Sequence, residues 1–189
     1  RSDLEEFKEA VRGGCLDLKV LRDEHSEVMA KYRQWAHEFV SDNTPMPEIP
    51  EHPLNEWQLL MDAKLSEEPN DREIMFIVDA VGNKGKTWYA KHYCRKVDTA
   101  FLLEPSKKAD MAYALPSNVT HLFVNLTRSQ AETSEYLYSF LESVKDGVIF
   151  SSKYHSEMKH ISNCHVIVMM NTNPMEHLLS TDRITKITI

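Results

Sequence analysis

Residues 74–87 decide the fold, and they read Ile74-Met75-Phe76-Ile77-Val78-Asp79-Ala80-Val81-Gly82-Asn83-Lys84-Gly85-Lys86-Thr87. The first five are all apolar, which predicts a strand buried on both faces. Gly82 and Gly85 allow backbone conformations that turn N–H groups toward an anion, and a helix beginning near Thr87 would add the positive end of its dipole. This order of strand, glycine loop and helix predicts a phosphate-binding loop.

The side chains of the loop suit the phosphates of a nucleotide. Lys86 would bring a mobile positive charge to the β- and γ-phosphates, and the Thr87 hydroxyl is able to ligate Mg²⁺. The predicted phosphate-binding residues are Gly82, Asn83, Lys84, Gly85, Lys86 and Thr87. The match to the pattern G-x-x-x-x-G-K-[ST] is incomplete, because Ala80 stands at the first glycine position. On these residues alone, a Gly-Lys turn that binds no ligand remains an alternative.

Strands and helices alternate after this loop. Buried strands are predicted at residues 100–103, 121–126 and 165–170, and helices at 87–95 and 133–145. Such alternation predicts parallel strands joined by helices that cover both faces of the sheet. The predicted fold class is therefore α/β with a mainly parallel sheet.

The first 40 residues have a helical pattern instead. Ser2 and Glu5 form a capping-box pattern before one amphipathic helix, and a second, short helix follows Asp17. Ser26 is the expected N-cap of a third helix, whose apolar face continues to Phe39. The pattern predicts a small all-α bundle with its own core, and a surface for self-association would show the same pattern.

A proline-rich stretch follows the helical part. It contains Pro45, Pro47, Pro50 and Pro53, which cannot continue a helix. One more amphipathic helix is predicted at about residues 54–65. The expected domains are a helical region at 1–44, a linker at 45–53 and an α/β domain at 54–189.

The composition, 42% apolar and 27% charged residues, is ordinary for a globular protein. No apolar run approaches the roughly 20 residues that span a bilayer, so no membrane partner is expected. The chain begins with neither an initiator Met nor a signal-peptide pattern, which favours an excised fragment. Cys15, Cys94 and Cys164 are scattered without metal-ligand spacing and are interpreted as thiols in a reducing compartment.

The net charge of −7 is unevenly distributed. Residues 48–73 hold eight acidic residues against Lys64 and Arg72, whereas residues 74–189 hold thirteen Lys or Arg against eleven Asp or Glu. The predicted α/β domain is thus close to neutral. Any contact with a nucleic acid is therefore expected to be local rather than made by a broad positive face.

Several blocks of the chain match one protein family in the same order. They are PLNEWQ at 53–58, GNKGKTWYAK at 82–91, HLFVNLTRS at 121–129, FLESVKDG at 140–147 with SKY at 152–154, VIVMMNTNP at 166–174 and STDR at 180–183. With these blocks, residues 53–189 resemble the helicase domain of the replication-associated (Rep) proteins of small circular single-stranded DNA viruses, of the circovirus and nanovirus type. The first Walker glycine is often missing in this branch, which accounts for Ala80.

The resemblance implies a superfamily 3, AAA+-related P-loop ATPase that forms a ring, expected to be hexameric, and moves along single-stranded DNA. ATP and Mg²⁺ are the implied cofactors, and the host nucleus is the implied place of action. Lys86 and Thr87 would take the Walker A roles, and Asn171 would be the sensor that polarises the attacking water. Arg183 would be an arginine finger that meets transition-state charge in a neighbouring subunit's site. Residues 1–44 would help subunits to associate.

The same resemblance implies a DNA-gripping hairpin at residues 151–163. The expected DNA-binding residues are Lys153, Tyr154, His155 and Lys159, with His160 beside them, because cations interleaved with an aromatic ring suit contact along one strand. From the residues alone, a solvated hairpin of mixed polarity is the alternative.

One position departs from the family pattern. The Walker B strand should end in an Asp that positions Mg²⁺ and water, but Asn125 stands there, and together with Thr87 it would be the residue at the metal. The substitution is open to three interpretations: an engineered change that traps ATP, a natural change compensated by Glu132 or Glu135, or a decayed copy. An amide is a very poor base, so we expect ATP binding to be retained and hydrolysis to be weak.

Two function classes follow. One is an ATP-driven helicase or translocase on single-stranded DNA, in a rolling-circle replication initiator; the other is a pseudo-ATPase that acts as an oligomeric DNA-binding module. A cellular P-loop kinase is disfavoured because no lid arginines or phosphoacceptor site is found. The family's endonuclease needs a His-apolar-His pair and a Tyr nucleophile with a nearby Lys, and the sequence before the helices has no such set. No nicking or joining activity is therefore expected.

Overall fold

The computed structural model describes residues 2–154 and 156–189, and the side chains of these except at 131–134. The chain divides into two compact units, Arg1–Glu48 and Ile49–Ile189. The helices of the first unit are α1 (Asp3–Arg12), α2 (Leu18–Glu24), α3 (Ser26–Lys31) and α4 (Arg33–Asn43). Those of the second are α5 (Glu56–Leu65), α6 (Lys86–Lys96), α7 (Lys108–Ala114) and α8 (Ser134–Lys145).

The first unit packs its helices around Phe7, which is fully buried. The predicted cap is present: the Ser2 hydroxyl accepts a hydrogen bond from the N–H of Glu5. Asp17, which was not predicted as a cap, also accepts one from the N–H of Lys19. The prediction of one continuous third helix was wrong. The chain breaks at Tyr32 (φ −123°, ψ 39°) into α3 and α4.

The break occurs at an exposed position. Tyr32 is 43% exposed, whereas Met29 of α3 and Ala36 of α4, on either side of it, both belong to the apolar cluster around Phe7. Ser26 is the first residue of α3 rather than its cap; the residue before it, His25, makes no side-chain capping bond. Local spacing therefore identified the apolar face but not the interruption.

The second unit is built on a five-stranded parallel sheet with strand order β2-β3-β6-β1-β7. The strands are β1 (Ile74–Val78), β2 (Ala100–Leu103), β3 (His121–Asn125), β6 (His165–Met170) and β7 (Ile184–Thr188). The α/β prediction is confirmed, and β1, β2 and β6 have the predicted limits. A separate antiparallel hairpin joins β4 (Val148–Ser151) to β5 (Glu157–His160). In the described part of the chain, 3₁₀ turns lie at Arg128–Thr133, Glu176–Leu178 and Thr181–Arg183.

The apolar run in β1 is explained by two core layers. Phe76 and its alternate neighbours face a layer that includes residues of α7 and α8, whereas Met75 and Ile77 face one that includes residues of α5 and α6. All five residues of β1 are buried, because the strand lies inside the sheet between β6 and β7. This arrangement places the loop that follows β1 near the middle of the sheet's carboxyl edge.

No helix in the described part of the chain is both long enough and apolar enough to cross a membrane.

Candidate nucleotide site

The carboxyl edge of the sheet carries a cleft of about 400 Å³ beside the glycine loop. The register explains why distant residues meet there: Asn125, the last residue of β3, pairs with Met169, and Val78 of β1 pairs with Met170. The residues that line the cleft are Asn83, Lys84, Gly85, Lys86, Thr87, Trp88, Asn125, Thr127 and Asn171. Most of the predicted nucleotide-site residues are thus brought together.

The glycine loop has the open backbone that its sequence predicts. Gly82 (φ 95°), Asn83 (φ 65°) and Gly85 (φ 81°) all have left-handed conformations. At Gly85 the space is also tight, because a Cβ atom would lie 3.0 Å from the Gln58 Nε2 and that side chain would have to shift. Helix α6 begins at the next residue, Lys86, so the loop runs directly into a helix N-terminus.

The loop is braced from outside by α5. The indole N–H of Trp57 donates to the carbonyl oxygen of Lys84 at 3.0 Å, and the Gln58 amide donates to that of Gly85 at 3.4 Å. Helix α5 is itself positioned by a capping box between Asn55 and Gln58. These contacts give the block at 53–58 a structural role that sequence reasoning did not assign, since they join residues about 27 positions apart.

Arg128 holds the first half of the loop. Its guanidinium donates to the carbonyl oxygens of Ala80 at 3.4 Å and Val81 at 3.1 Å. Arg128 follows β3, so this contact links the end of β3 to the glycine loop. Sequence reasoning missed this role as well; the only signal was its place at the end of the third matched block.

The most buried contact of the loop joins Lys86 to Asp79. The Lys86 ammonium lies 2.7 Å from the Asp79 Oδ2, and the Asp79 side chain is fully buried. The same carboxylate accepts the N–H of Gly82 at 2.6 Å and that of Lys84 at 3.3 Å. Burial alone raises the pKa of Asp79, but the hydrogen bonds from Lys86 and Gly82 outweigh it and hold the pKa below its usual value. Sequence reasoning gave Asp79 no role in the site.

Two asparagines complete the cleft. Asn171 donates its Nδ2 proton to the backbone carbonyl of Asp79 at 2.8 Å, and Asn125 is half-buried at the end of β3. Among the described side chains, no carboxylate lines the cleft. Of the two acids considered as compensation, Glu135 is exposed on α8 and is not a lining residue, and the side chain of Glu132 lies outside the described residues.

The residues at the predicted metal position fit Mg²⁺ in kind. Thr87 offers a hydroxyl oxygen and Asn125 an amide oxygen, which are the hard ligands that Mg²⁺ accepts alongside water and substrate phosphates. Neither brings a negative charge. The described residues contain no group of three His, Cys, Asp or Glu side chains that would hold a metal on its own.

Arg183 lies at the amino edge of the sheet, opposite the carboxyl edge that carries the cleft. The residue after it, Ile184, pairs with Ile74 at the amino end of β1, so Arg183 is remote from the loop of its own chain. Its side chain is 8% exposed and donates to Asp146 Oδ1 at 2.5 Å, and its buried Nη1 has no hydrogen-bond partner among the described residues. Its role in a neighbouring site stays a prediction.

The predicted DNA-binding lysines both have partners within the chain. Lys153 forms an ion pair with Asp110 at 2.8 Å, and the Lys159 ammonium donates to the carbonyl oxygens of residues 112, 113 and 115, where α7 ends. Tyr154 is 76% exposed and its ring lies 5.2 Å from that of Tyr113. His155 lies outside the described residues. The structure therefore shows one exposed pair of aromatic rings and two lysines that already interact with groups of the same chain. DNA binding by these residues stays a prediction.

Strand, glycine loop, helix and a five-stranded parallel sheet define the second unit as an α/β domain of P-loop-like architecture. No protein-family model matches the chain. It is 38% identical over 134 residues to Para-Rep C9 of Faba bean necrotic yellows C9 alphasatellite, covering 69% of this chain and 46% of that protein. It is 37% identical over 129 residues to the master replication protein of Faba bean necrotic yellows virus, covering 68% and 43%.

The master replication protein of Banana bunchy top virus is 33% identical over 138 residues, which cover 69% of this chain and 46% of that protein. Over the matched residues, the chain is homologous to the replication (Rep) proteins of circular single-stranded DNA viruses, which confirms the resemblance seen in its sequence. The chain spans less than half the length of these relatives.

Proposed function

We propose that the second unit binds ATP with Mg²⁺ and hydrolyses it to move along single-stranded DNA, as the motor of a viral replication initiator of the rolling-circle type that acts in the host nucleus. The observation that carries the proposal is the convergence of Lys86, Thr87, Asn125 and Asn171 on one cleft. These residues lie on three elements far apart in sequence. The name of the relatives, master replication protein, supports the replication context.

The chemistry follows from the positions of the groups. The loop N–H groups and Lys86 would bind the phosphate chain, and Mg²⁺ bound at Thr87 would neutralise charge on the β- and γ-phosphates. Because the Nδ2 of Asn171 is engaged by the Asp79 carbonyl, its Oδ1 is the atom left to accept a hydrogen bond from the attacking water. Asn125 would orient water but cannot take its proton, which limits the rate.

We further propose that the active form is a homo-oligomeric ring with its sites between subunits. Arg183 lies at the amino edge of the sheet, so it would serve only the site of another chain. To do so its buried side chain would have to turn outward and leave Asp146, whose carboxylate is well exposed and stays solvated without its partner. The first unit would assist association, and the hairpin with Tyr154 and Lys153 would contact DNA inside the ring.

ATP turnover with and without single-stranded DNA tests the proposal. We expect turnover that DNA stimulates, and its loss in Lys86→Ala. Lys91→Ala is the matched control, because Lys91 is exposed on the same helix α6 and lies outside the cleft. Equal turnover in the wild type and Lys86→Ala would remove the loop from the mechanism.

A mixing experiment tests the shared site. Subunits with Lys86→Ala are combined with subunits carrying Arg183→Lys, which keeps the charge and much of the bulk of the buried side chain but not its planar fork. If each site takes parts from two chains, the mixture regains part of the turnover that each variant lacks. If the two variants are shown to co-assemble and the mixture recovers no ATP turnover, the result counts against Arg183 acting in the site of a neighbouring subunit.

A pseudo-ATPase is the second candidate, favoured by one observation: no described side chain lining the cleft is a carboxylate. In that case ATP binding depends on Lys86, but turnover stays at background with or without DNA. Calorimetric titration with ATP, beside the turnover assay, separates the two candidates.

A further inference from the structure

Asp79 lies inside the phosphate loop rather than on its rim. Its carboxylate receives three donors: the N–H of Gly82 at 2.6 Å, the N–H of Lys84 at 3.3 Å and the Lys86 ammonium at 2.7 Å. The side chain has no solvent exposure, and Lys86 is only 9% exposed. A buried carboxylate with one cation and two backbone N–H groups is a fully assembled anion site.

The donors that hold Asp79 are of the kind that a phosphate loop offers to its ligand. Backbone N–H groups of the glycine loop and the loop lysine normally meet the phosphates. A donor that points at a carboxylate cannot at the same time be given at full strength to a phosphate oxygen. Asp79 therefore stands in the position of a competitor, although it belongs to the same chain.

We propose that Asp79 is a resident anion of the phosphate loop, which a polyphosphate ligand must displace from Lys86 and the loop N–H groups. This inference rests on the proposed function, in that ATP is the ligand. It makes Asp79 a specificity-determining residue. A ligand with one phosphate forms too few hydrogen bonds to draw Lys86 and the loop N–H groups away from Asp79, whereas a triphosphate forms several such bonds at once.

The backbone of Asp79 is held in place, so the residue stays beside the loop when a ligand takes its donors. The Asp79 N–H donates to the carbonyl of Met170 at 3.0 Å, and its own carbonyl accepts from Asn171 at 2.8 Å, so the backbone is held on both sides. When Lys86 turns to the phosphates, the buried carboxylate loses its cation while a second negative group approaches. Both effects oppose binding.

Asp79→Asn separates this role from a purely structural one. Its amide oxygen still accepts the Gly82 N–H, but the negative charge is gone and Lys86 is released for the ligand. The free protein loses a buried ion pair and should melt at a lower temperature. ATP should nevertheless bind more tightly, by about tenfold or more, since the cost of separating the pair disappears.

The test is calorimetric titration with ATP and Mg²⁺, with melting temperatures of the free proteins measured in parallel. Asp98→Asn is the matched control, since it removes one charge from an exposed aspartate near the end of α6 remote from the loop. AMP, run as a second ligand, is expected to bind Asp79→Asn measurably and the wild type much less.

Each outcome decides a different claim. ATP affinity that is equal or lower in Asp79→Asn, with binding in the wild type that depends on Lys86, overturns the resident anion and leaves the proposed function standing. No ATP binding in any variant overturns both. Asp79→Ser is the second variant; if neither substituted protein folds, the carboxylate is needed for the fold itself and the competitor role is overturned.

Discussion

Replacing Asn125 by Asp tests the chemistry of the cleft most directly. Asn125 ends β3 at the carboxyl edge of the sheet and lines the same cleft as Lys86 and Thr87. The exchange is isosteric, and the side chain is only half-buried, so a new carboxylate there costs little in desolvation or packing. It would place a negative charge and a proton acceptor where an amide now supplies neither.

The expected gain is large and mainly in kcat. A positioned general base typically contributes about 10²- to 10⁴-fold, and the lower figure corresponds to about 2.7 kcal/mol of barrier. The groups proposed to bind the phosphates, Lys86 and the loop N–H groups, are unchanged by the substitution. The KM for ATP should therefore change by a small factor only, because the added interaction forms with the attacking water and the metal.

The assay is release of inorganic phosphate at saturating ATP and Mg²⁺, with and without single-stranded DNA. Asn83→Asp is the matched control: it adds the same charge to the same cleft, but on the loop, where it would repel phosphates rather than activate water. We expect Asn125→Asp to be at least about 10²-fold faster than the wild type and Asn83→Asp to be no faster. Equal turnover in Asn125→Asp and the wild type, with ATP bound by both, would refute the reasoning.

Three further predictions concern stability. Asp146→Asn leaves the buried Arg183 without its nearest carboxylate and should lower the free energy of unfolding by about 1 kcal/mol. The expected loss is this small because Asp146 itself is well exposed. An unchanged melting temperature would contradict the prediction. Lys159→Met removes three bonds to the carbonyls at the end of α7 and should cost about 0.5–1 kcal/mol in urea denaturation, whereas no change would mean that they contribute nothing. The carboxyl of Asp79 has a lowered pKa in the folded protein. Its contribution to the free energy of unfolding is therefore fully present above its pKa in the unfolded chain, about 3.9, and is lost as the pH falls through its pKa in the folded protein. The difference in melting temperature between wild type and Asp79→Asn should therefore shrink between pH 7 and pH 3, and an equal difference at both would refute this.

Local pattern predicted the centre of the fold well and its margins poorly. The limits of β1, β2 and β6 could be predicted because continuous apolar runs are short-range signals. Strand β7 was not predicted, since only one side of this edge strand pairs and its sequence, Ile-Thr-Lys-Ile-Thr, mixes polar and apolar residues. Helix α7 was missed as well; the residue before it, Lys107, makes no side-chain capping bond, so the helix start has no sequence signal of the kind that Asp17 gives α2.

The sequence by itself determined that a strand, a glycine loop and a helix follow one another, and that Lys86 and Thr87 lie at the start of that helix. These are properties of neighbouring residues. Only the tertiary structure decided which distant groups share the cleft, because strand order and register place the ends of β1, β3 and β6 side by side.

The same long-range geometry decided how individual charges are used. Lys86 meets Asp79 because the loop folds back over the end of β1, Arg183 lies at the opposite edge because β7 runs parallel to β1, and Lys159 is taken up by the end of α7. A charged residue in a sequence indicates that a partner is needed, but it does not show which residue that partner is. The fold determines the partner, since burial makes an unpaired charge too costly to leave.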